Sequence, residues 1–165
     1  MNQQCINKKS LVTLISEELK QELNQAINAA NEAHAAAVDD QSVAETQYDT
    51  LAIEASYLAE GQSRRVHELQ TAINDYQVLN LLDFNENSAI ALTALVQLSN
   101  DSQSLHWFFI GPAAGGFRCS FSEQQITVIT PQSPMGQALL GKYQDDDVNI
   151  KLGNNQLSDY IASVQ

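Results

Sequence analysis

The chain has 165 residues, 44% of them hydrophobic, and carries 20 Asp plus Glu against 8 Lys plus Arg, a formal net charge of -12. That apolar content excludes a disordered chain, and the length suits one ordinary domain or two small ones. Duplex DNA and anionic membranes attract proteins through Lys and Arg, so this charge balance fits a basic protein partner or a cation better, besides keeping the chain soluble.

Cys5 and Cys119 lie in unrelated contexts and form neither a metal spacing nor a disulfide framework. The first residues, MNQQCINKKSLVTLI, resemble a secretion signal only until Glu17 and Glu18 end the apolar run, too early for a signal core or a membrane span. A soluble, cytoplasmic, monomeric protein is expected.

Residues 1–10 read as a lead-in, with Ser10 as the cap of a helix beginning at Leu11. Leu11, Leu14/Ile15, Leu19, Leu23, Ile27, Ala30 and Ala33/Ala37 recur at helical spacing and make one narrow apolar stripe. Alanines crowd residues 26–37, where small side chains let two helices approach closely. The acidic stretch VDDQSVAETQYD follows. Asp39, Asp40 and Ser42 are candidate caps for a second helix, and Ser42 with Glu45 has capping-box spacing. That second helix carries Tyr48, Leu51, Ala55, Leu58, Arg65, Leu69, Ala72 and Tyr76 along its seam, with Gly61 as a weak point. Each arm has about 30 residues, or roughly 45 Å of helix. A hairpin of that length buries only a seam, so residues 1–77 are expected to form an antiparallel coiled-coil arm with the acidic stretch at its tip.

Residues 78–88 read as a joint, and residues 89–165 as a small β-rich domain. SAIALTALVQL, LHWFFIG, FRCSF, QQITVIT, VNIKL and LSDYIASV are the expected strands, with GNN as a hairpin turn. PMGQALLG reads as one short helix closed by Gly141. The expected class is therefore α+β.

Several chemistries are absent. GPAAGG lacks the G-K-[ST] of a phosphate-binding loop, and His34, His67 and His106 are scattered. Ser133 before Pro134 reads as a helix cap rather than a nucleophile, and Asp145, Asp146 and Asp147 as a solvated turn rather than a cation site. Trp107, Phe108 and Phe109 alternate faces on a strand and lack a basic groove, so they read as core plus one exposed position rather than as a stacking platform.

The stretch ITPQSPMGQALLGKYQDDDVNI resembles the C-terminal signature of the GreA/GreB family of bacterial transcription elongation factors. The residues that carry the resemblance are Ser133, Pro134, Gly136, Ala138, Leu139, Leu140, Gly141, Lys142, Asp146, Asp147 and Val148. It implies an N-terminal coiled coil followed by an FKBP-like domain. It also implies docking at the RNA polymerase secondary channel, with the coiled-coil tip presented to the active site. Family tips help hold the second Mg²⁺ and a water, so that the polymerase hydrolyses backtracked RNA; the factor has no complete active site of its own and binds no cofactor stably. By that resemblance Asp39 and Asp40 are the metal-binding candidates, with Glu45 third. Ser133, Pro134, Met135, Gly136 and Lys142 are the docking candidates, set against a role in domain packing. No sequence-specific nucleic-acid contact is implied.

The tip departs from the family. Family tips read D-L-x-E-N-A-E-Y, whereas D-D-Q-S-V-A-E-T-Q-Y has Ser42 and Val43 three residues after Asp39 and Asp40. Four readings follow: a cleavage-promoting factor; a channel binder that inhibits or modulates polymerase without cleavage, which the altered tip favours; an FKBP-like prolyl isomerase; and a purely structural module whose coil pairs with another coil. Fold alone does not decide the third. It requires an open cleft lined by aromatics such as Trp107, Phe109 and Phe121; the fourth requires an exposed apolar stripe outside the seam.

Overall fold

The structure is a computed structural model that describes residues 5–40, 49–103, 105–121 and 123–165, with the side chains at 37–40, 49–53, 55, 152 and 155 left aside. It consists of two compact units, one formed by Ser16–Asn74 and the other by Met1–Ile15 together with Asp75–Gln165.

The first unit is a pair of long helices, α1 (Lys8–Asp40) and α2 (Asp49–Gln77), both of which also contribute a terminal segment to the second unit. The expected stripe of α1 is buried at Leu19, Ala26, Ala30 and Ala33, with Leu23 and Ile27 half-buried. On α2 the inward positions are Ala59, Gln62, Val66, Leu69 and Ile73, a strict alternation of three and four. This corrects the expected seam. Leu58 is 58% exposed and Arg65 lies outside the seam, where its guanidinium donates to Glu22 on α1 at 2.6 Å. The small Ala59 takes the inward place, which suits a facing helix lined by alanines. Both partners of the Arg65–Glu22 pair are solvated, so it contributes roughly 0.2–1 kcal/mol. Gly61 is exposed and does not break α2.

The start of α1 also differs from expectation. The helix begins at Lys8, and its cap is Asn7, whose side-chain oxygen accepts the Ser10 N–H at 3.1 Å. Ser10 is itself helical.

The second unit is built on one six-stranded sheet with the order β3-β4-β2-β1-β6-β5. Its strands are β1 (Leu95–Leu98), β2 (His106–Ile110), β3 (Arg118–Phe121), β4 (Gln124–Ile129), β5 (Asp147–Leu152) and β6 (Asn155–Val164). All pairings are antiparallel except β2 with β4. Gly153, at φ +64, and Asn154 connect the paired residues Leu152 and Asn155, as expected of a tight hairpin. The short helix α3 (Pro134–Leu139) crosses from β4 toward β5.

One face of the sheet meets a single cluster that includes Val96, Leu98, Phe108, Ile110, Ile129, Leu139, Val148, Ile150 and Ile161. Met135, Ala138 and Leu140 pack against it from α3 and its end. Leu95, Trp107, Phe109, Ile126 and Val128 point the other way and are also buried. Buried Ile6, Leu11, Ile15 and Tyr76 come from the helix ends that belong to this unit. The aromatic run is thus corrected: Trp107, Phe108 and Phe109 are all inside, because β2 is central and covered on both faces.

The long strand expected over SAIALTALVQL is also shorter than its composition suggests. Thr93 adopts φ +75, a conformation rare for a β-branched residue, and the strand proper starts at Leu95. Local hydrogen bonds hold the kink: Thr93 N–H donates to Ile110 O at 2.8 Å, and Thr93 Oγ1 accepts the Leu82 N–H at 3.0 Å.

Tyr76 fastens the end of α2 to the loop after β2 by donating its hydroxyl proton to Ala113 O at 2.9 Å. Burial pushes its phenol far above the usual range, so it remains a neutral donor. A Cβ at Gly111 would collide with the Tyr76 hydroxyl and meet Val128 Cγ1 at 3.0 Å. Gly111→Ala is therefore expected to cost about 1–3 kcal/mol in urea unfolding. Tyr76→Phe should cost about 1 kcal/mol by itself, and the double variant should be more stable than the sum of the two losses predicts, because the clashing oxygen is gone.

Candidate functional site

Asp39 and Asp40 are the last two residues of α1 rather than caps of α2. They follow the alanine-rich segment whose inward residues Ala26, Ala30 and Ala33 are buried. No basic residue occupies the last turn of α1. Glu45, Ser42 and Tyr48, and with them the expected capping box, lie outside the described residues.

Among the described residues no group of three His, Cys, Asp or Glu side chains is arranged to hold a metal. His34 and His67 are exposed on separate helices. His106 is engaged inside its own unit, with Nε2 2.8 Å from Thr127 Oγ1, Nδ1 3.5 Å from Asp101 Oδ1, and its ring tilted against Phe108.

The second candidate region, residues 130–148, is a tightly bonded corner. Ser133 caps α3: its Oγ accepts the Gly136 N–H at 3.0 Å and donates to Thr130 O at 2.7 Å. Pro134 opens the helix, where a missing N–H costs nothing. Gly136 is buried, and a Cβ there would run into the Thr130 carbonyl oxygen. Gly141, at φ +77, ends the segment, and its N–H donates to Ile90 O at 2.8 Å. Lys142 O returns the bond by accepting the Ile90 N–H at 2.8 Å. The spacing of this stretch is thus also a packing requirement. Of the five docking candidates, Pro134 is exposed, Ser133, Met135 and Lys142 are half-buried, and Gly136 is covered.

The acidic turn that follows is tied back on itself. Asp146 Oδ2 accepts the Tyr143 N–H at 2.8 Å, and Asp145, at φ +69, donates its N–H to Ile161 O at 2.8 Å. Asp147 is the first residue of β5. Tyr143 and Tyr160, each 46% exposed, are large apolar groups left uncovered in this unit. Sequence reasoning gave them no role, and periodicity carries no signal for them because each sits beside charged neighbours.

The aromatic cleft that an isomerase needs is not formed by the expected residues. Trp107 and Phe109 are 1% and 0% exposed inside the core, while Phe121 is half-buried on the edge strand β3. On α2, Tyr57 is 70% and Leu58 58% exposed. Among the described residues they form an adjacent pair outside the seam.

No family model matches the chain, and no curated protein matches it. Solved structures similar to it include the transcription factor Gfh1, at 19% identity over 90% of this chain and 92% of that one, with a TM-score of 0.35. Two others are GreA factor homolog 1 (Gfh1) of Thermus thermophilus (16% identity, 91% and 94% coverage, TM-score 0.36) and Gfh1 of Thermus aquaticus (17%, 90% and 92%, 0.36).

Ser133→Ala is expected to lower stability by about 1 kcal/mol through loss of the cap. Gly136→Ala should cost more, because the group it meets is a fixed backbone carbonyl rather than a side chain that can swing away. Thermal melts of the two variants rank them.

Proposed function

We propose that the chain is an accessory factor of the GreA/GreB kind that binds bacterial RNA polymerase at its secondary channel and modulates elongation. The observation that carries this reading is the continuous pattern of Ser133, Pro134, Gly136, Leu139, Gly141, Lys142 and Asp146, in a chain that pairs a two-helix unit with a separate sheet unit. The named solved structures include transcription factors of the same general description, which is consistent with it.

In this reading the sheet unit docks through the exposed side of the 133–142 corner, chiefly Pro134 and Lys142, while Gly136 and the Ser133 hydroxyl keep the corner in shape. The two-helix unit carries Asp39 and Asp40 at the end of α1, and in this reading they are the residues offered to a polymerase-held Mg²⁺. In this reading hydrolysis of RNA, where it occurs, belongs to the polymerase.

The spacing of the acidic stretch favours modulation without cleavage. The positions three after Asp39 and Asp40 are Ser42 and Val43, so the acidic pair at i and i+3 of the cleavage-promoting pattern is missing.

The test is a stalled, backtracked elongation complex with purified polymerase, scored for binding and RNA shortening together. Binding without shortening is the expected outcome. If shortening is seen, Asp39→Ala with Asp40→Ala should abolish it and leave affinity within about threefold. Shortening that survives the double change would remove those residues from the role, and absence of binding would overturn the proposal as a whole.

A further inference from the structure

Lys8 is the best-held cation in the sheet unit. Its Nζ donates to Leu82 O at 2.6 Å and lies 4.6 Å from the centroid of the Phe84 ring. It lines a cleft of about 660 Å³ whose walls include Cys5, Ile6, Leu81, Asp83 and Phe84. Cys5, three residues earlier in the chain, is an exposed free thiol on the same cleft. Lys9, the next residue, lines the cleft too but is exposed and makes none of these contacts among the described residues.

Desolvation in this cleft lowers the Lys8 amine to about 8, against the opposing pull of Asp83 and of Cys5. Its position in the first turn of a 33-residue helix works in the same direction, because the positive end of the dipole disfavours an ammonium. A lysine desolvated beside apolar walls is the ordinary way to obtain a nucleophilic amine near neutral pH. A neutral Lys8 keeps one N–H for Leu82 O and has its lone pair free for the cleft.

From this arrangement we infer that Cys5 and Lys8 form an acyl-acceptor site, in which an acyl group from a small thioester is taken by the Cys5 sulfur and passed to Lys8 Nζ. In the first step the Cys5 thiolate attacks the thioester carbonyl carbon and the donor thiolate leaves, so one C–S bond forms as another breaks. In the second step the neutral Lys8 amine attacks the same carbon, the Cys5–acyl bond breaks, and the nitrogen proton returns to the Cys5 thiolate. The net change is an amide on Lys8 and a free donor thiol, with no redox step. Acylation removes the positive charge from over the Phe84 ring and so loosens the tie between the start of α1 and residues 82–84.

The test incubates the full chain with acetyl-coenzyme A at pH 8 and maps acetyl groups by peptide mass spectrometry. Lys8 should be acetylated at least tenfold faster than Lys9, and faster at pH 9 than at pH 7. Cys5→Ser should slow acetylation of Lys8 at least tenfold, leaving only the direct reaction of its amine. Lys8→Arg should instead let a hydroxylamine-sensitive acetyl group accumulate on Cys5. Equal rates at Lys8 and Lys9, an unchanged Lys8 rate in Cys5→Ser, or no thioester on Cys5 in Lys8→Arg would each overturn the proposal.

Discussion

The sheet unit depends on burying β2 from both sides. Trp107, Phe108, Phe109 and Ile110 are consecutive and all inside, so neither face of the sheet can be left to water. Each such side chain is worth about 1.5–3 kcal/mol when fully buried. On one face the cover is α3 and its end, through Met135, Ala138, Leu139 and Leu140. On the other, Tyr76 from the end of α2 reaches Gly111 beside Val128, and Leu11 and Ile15 of the same unit are buried as well. The start of α1 is tied to this domain by hydrogen bonds from Ile6 N–H to Gln165 Oε1 and from Lys8 Nζ to Leu82 O. Burying β2 also gives meaning to the tight features around it: the left-handed Thr93, the bare Gly111 beneath Tyr76, and the bond from Tyr76 to Ala113.

The corner at residues 130–148 has a packing role in the structure, and the docking role proposed for it does not conflict with that. Ser133, Gly136 and Gly141 are needed by the backbone, since each satisfies a cap, a close approach or a positive φ. A motif read as a docking signature is therefore first a rule for making a rigid corner. What such a corner shows to a partner is what remains outside, and here that is Pro134, part of Lys142 and the neighbouring Tyr143. The helical unit is simpler. Alanine on both sides of its seam keeps the pair slim toward the acidic end, and its surface ion pairs add little to its stability.

Much of this architecture was legible because it follows from periodicity. The stripe from Leu11 to Ala33, the short strands of the second half, the helix at PMGQAL and the Gly153–Asn154 hairpin all carry local signals strong enough to read. What was not legible depends on tertiary context. Nothing about Thr93 suggests a left-handed residue, since threonine ordinarily favours strands. The seam of α2 was misplaced around Leu58 because size pointed to leucine, whereas the alanine-lined partner accepts Ala59. Trp107 to Phe109 looked one-sided because alternation cannot report that a strand is central. Ser10 reads as the cap of a helix from Leu11, yet Asn7, an equally good cap three residues earlier, is the one used. As for the site, the packing role of Ser133 and Gly136 was readable from capping and helix geometry, while Lys8 and Cys5 share a cleft only through contacts with residues 81–84, far along the chain.

The central claim is that the acidic end of α1 is delivered to the polymerase active centre while the sheet unit stays outside. A photo-cross-linking amino acid at position 40, compared with one at the exposed position 156 on β6, tests this directly with bacterial RNA polymerase. The account predicts that the position 40 probe labels the catalytic subunits next to the active centre and that the position 156 probe does not. Polymerase that binds the chain but is labelled equally from both positions, or only from position 156, would contradict it.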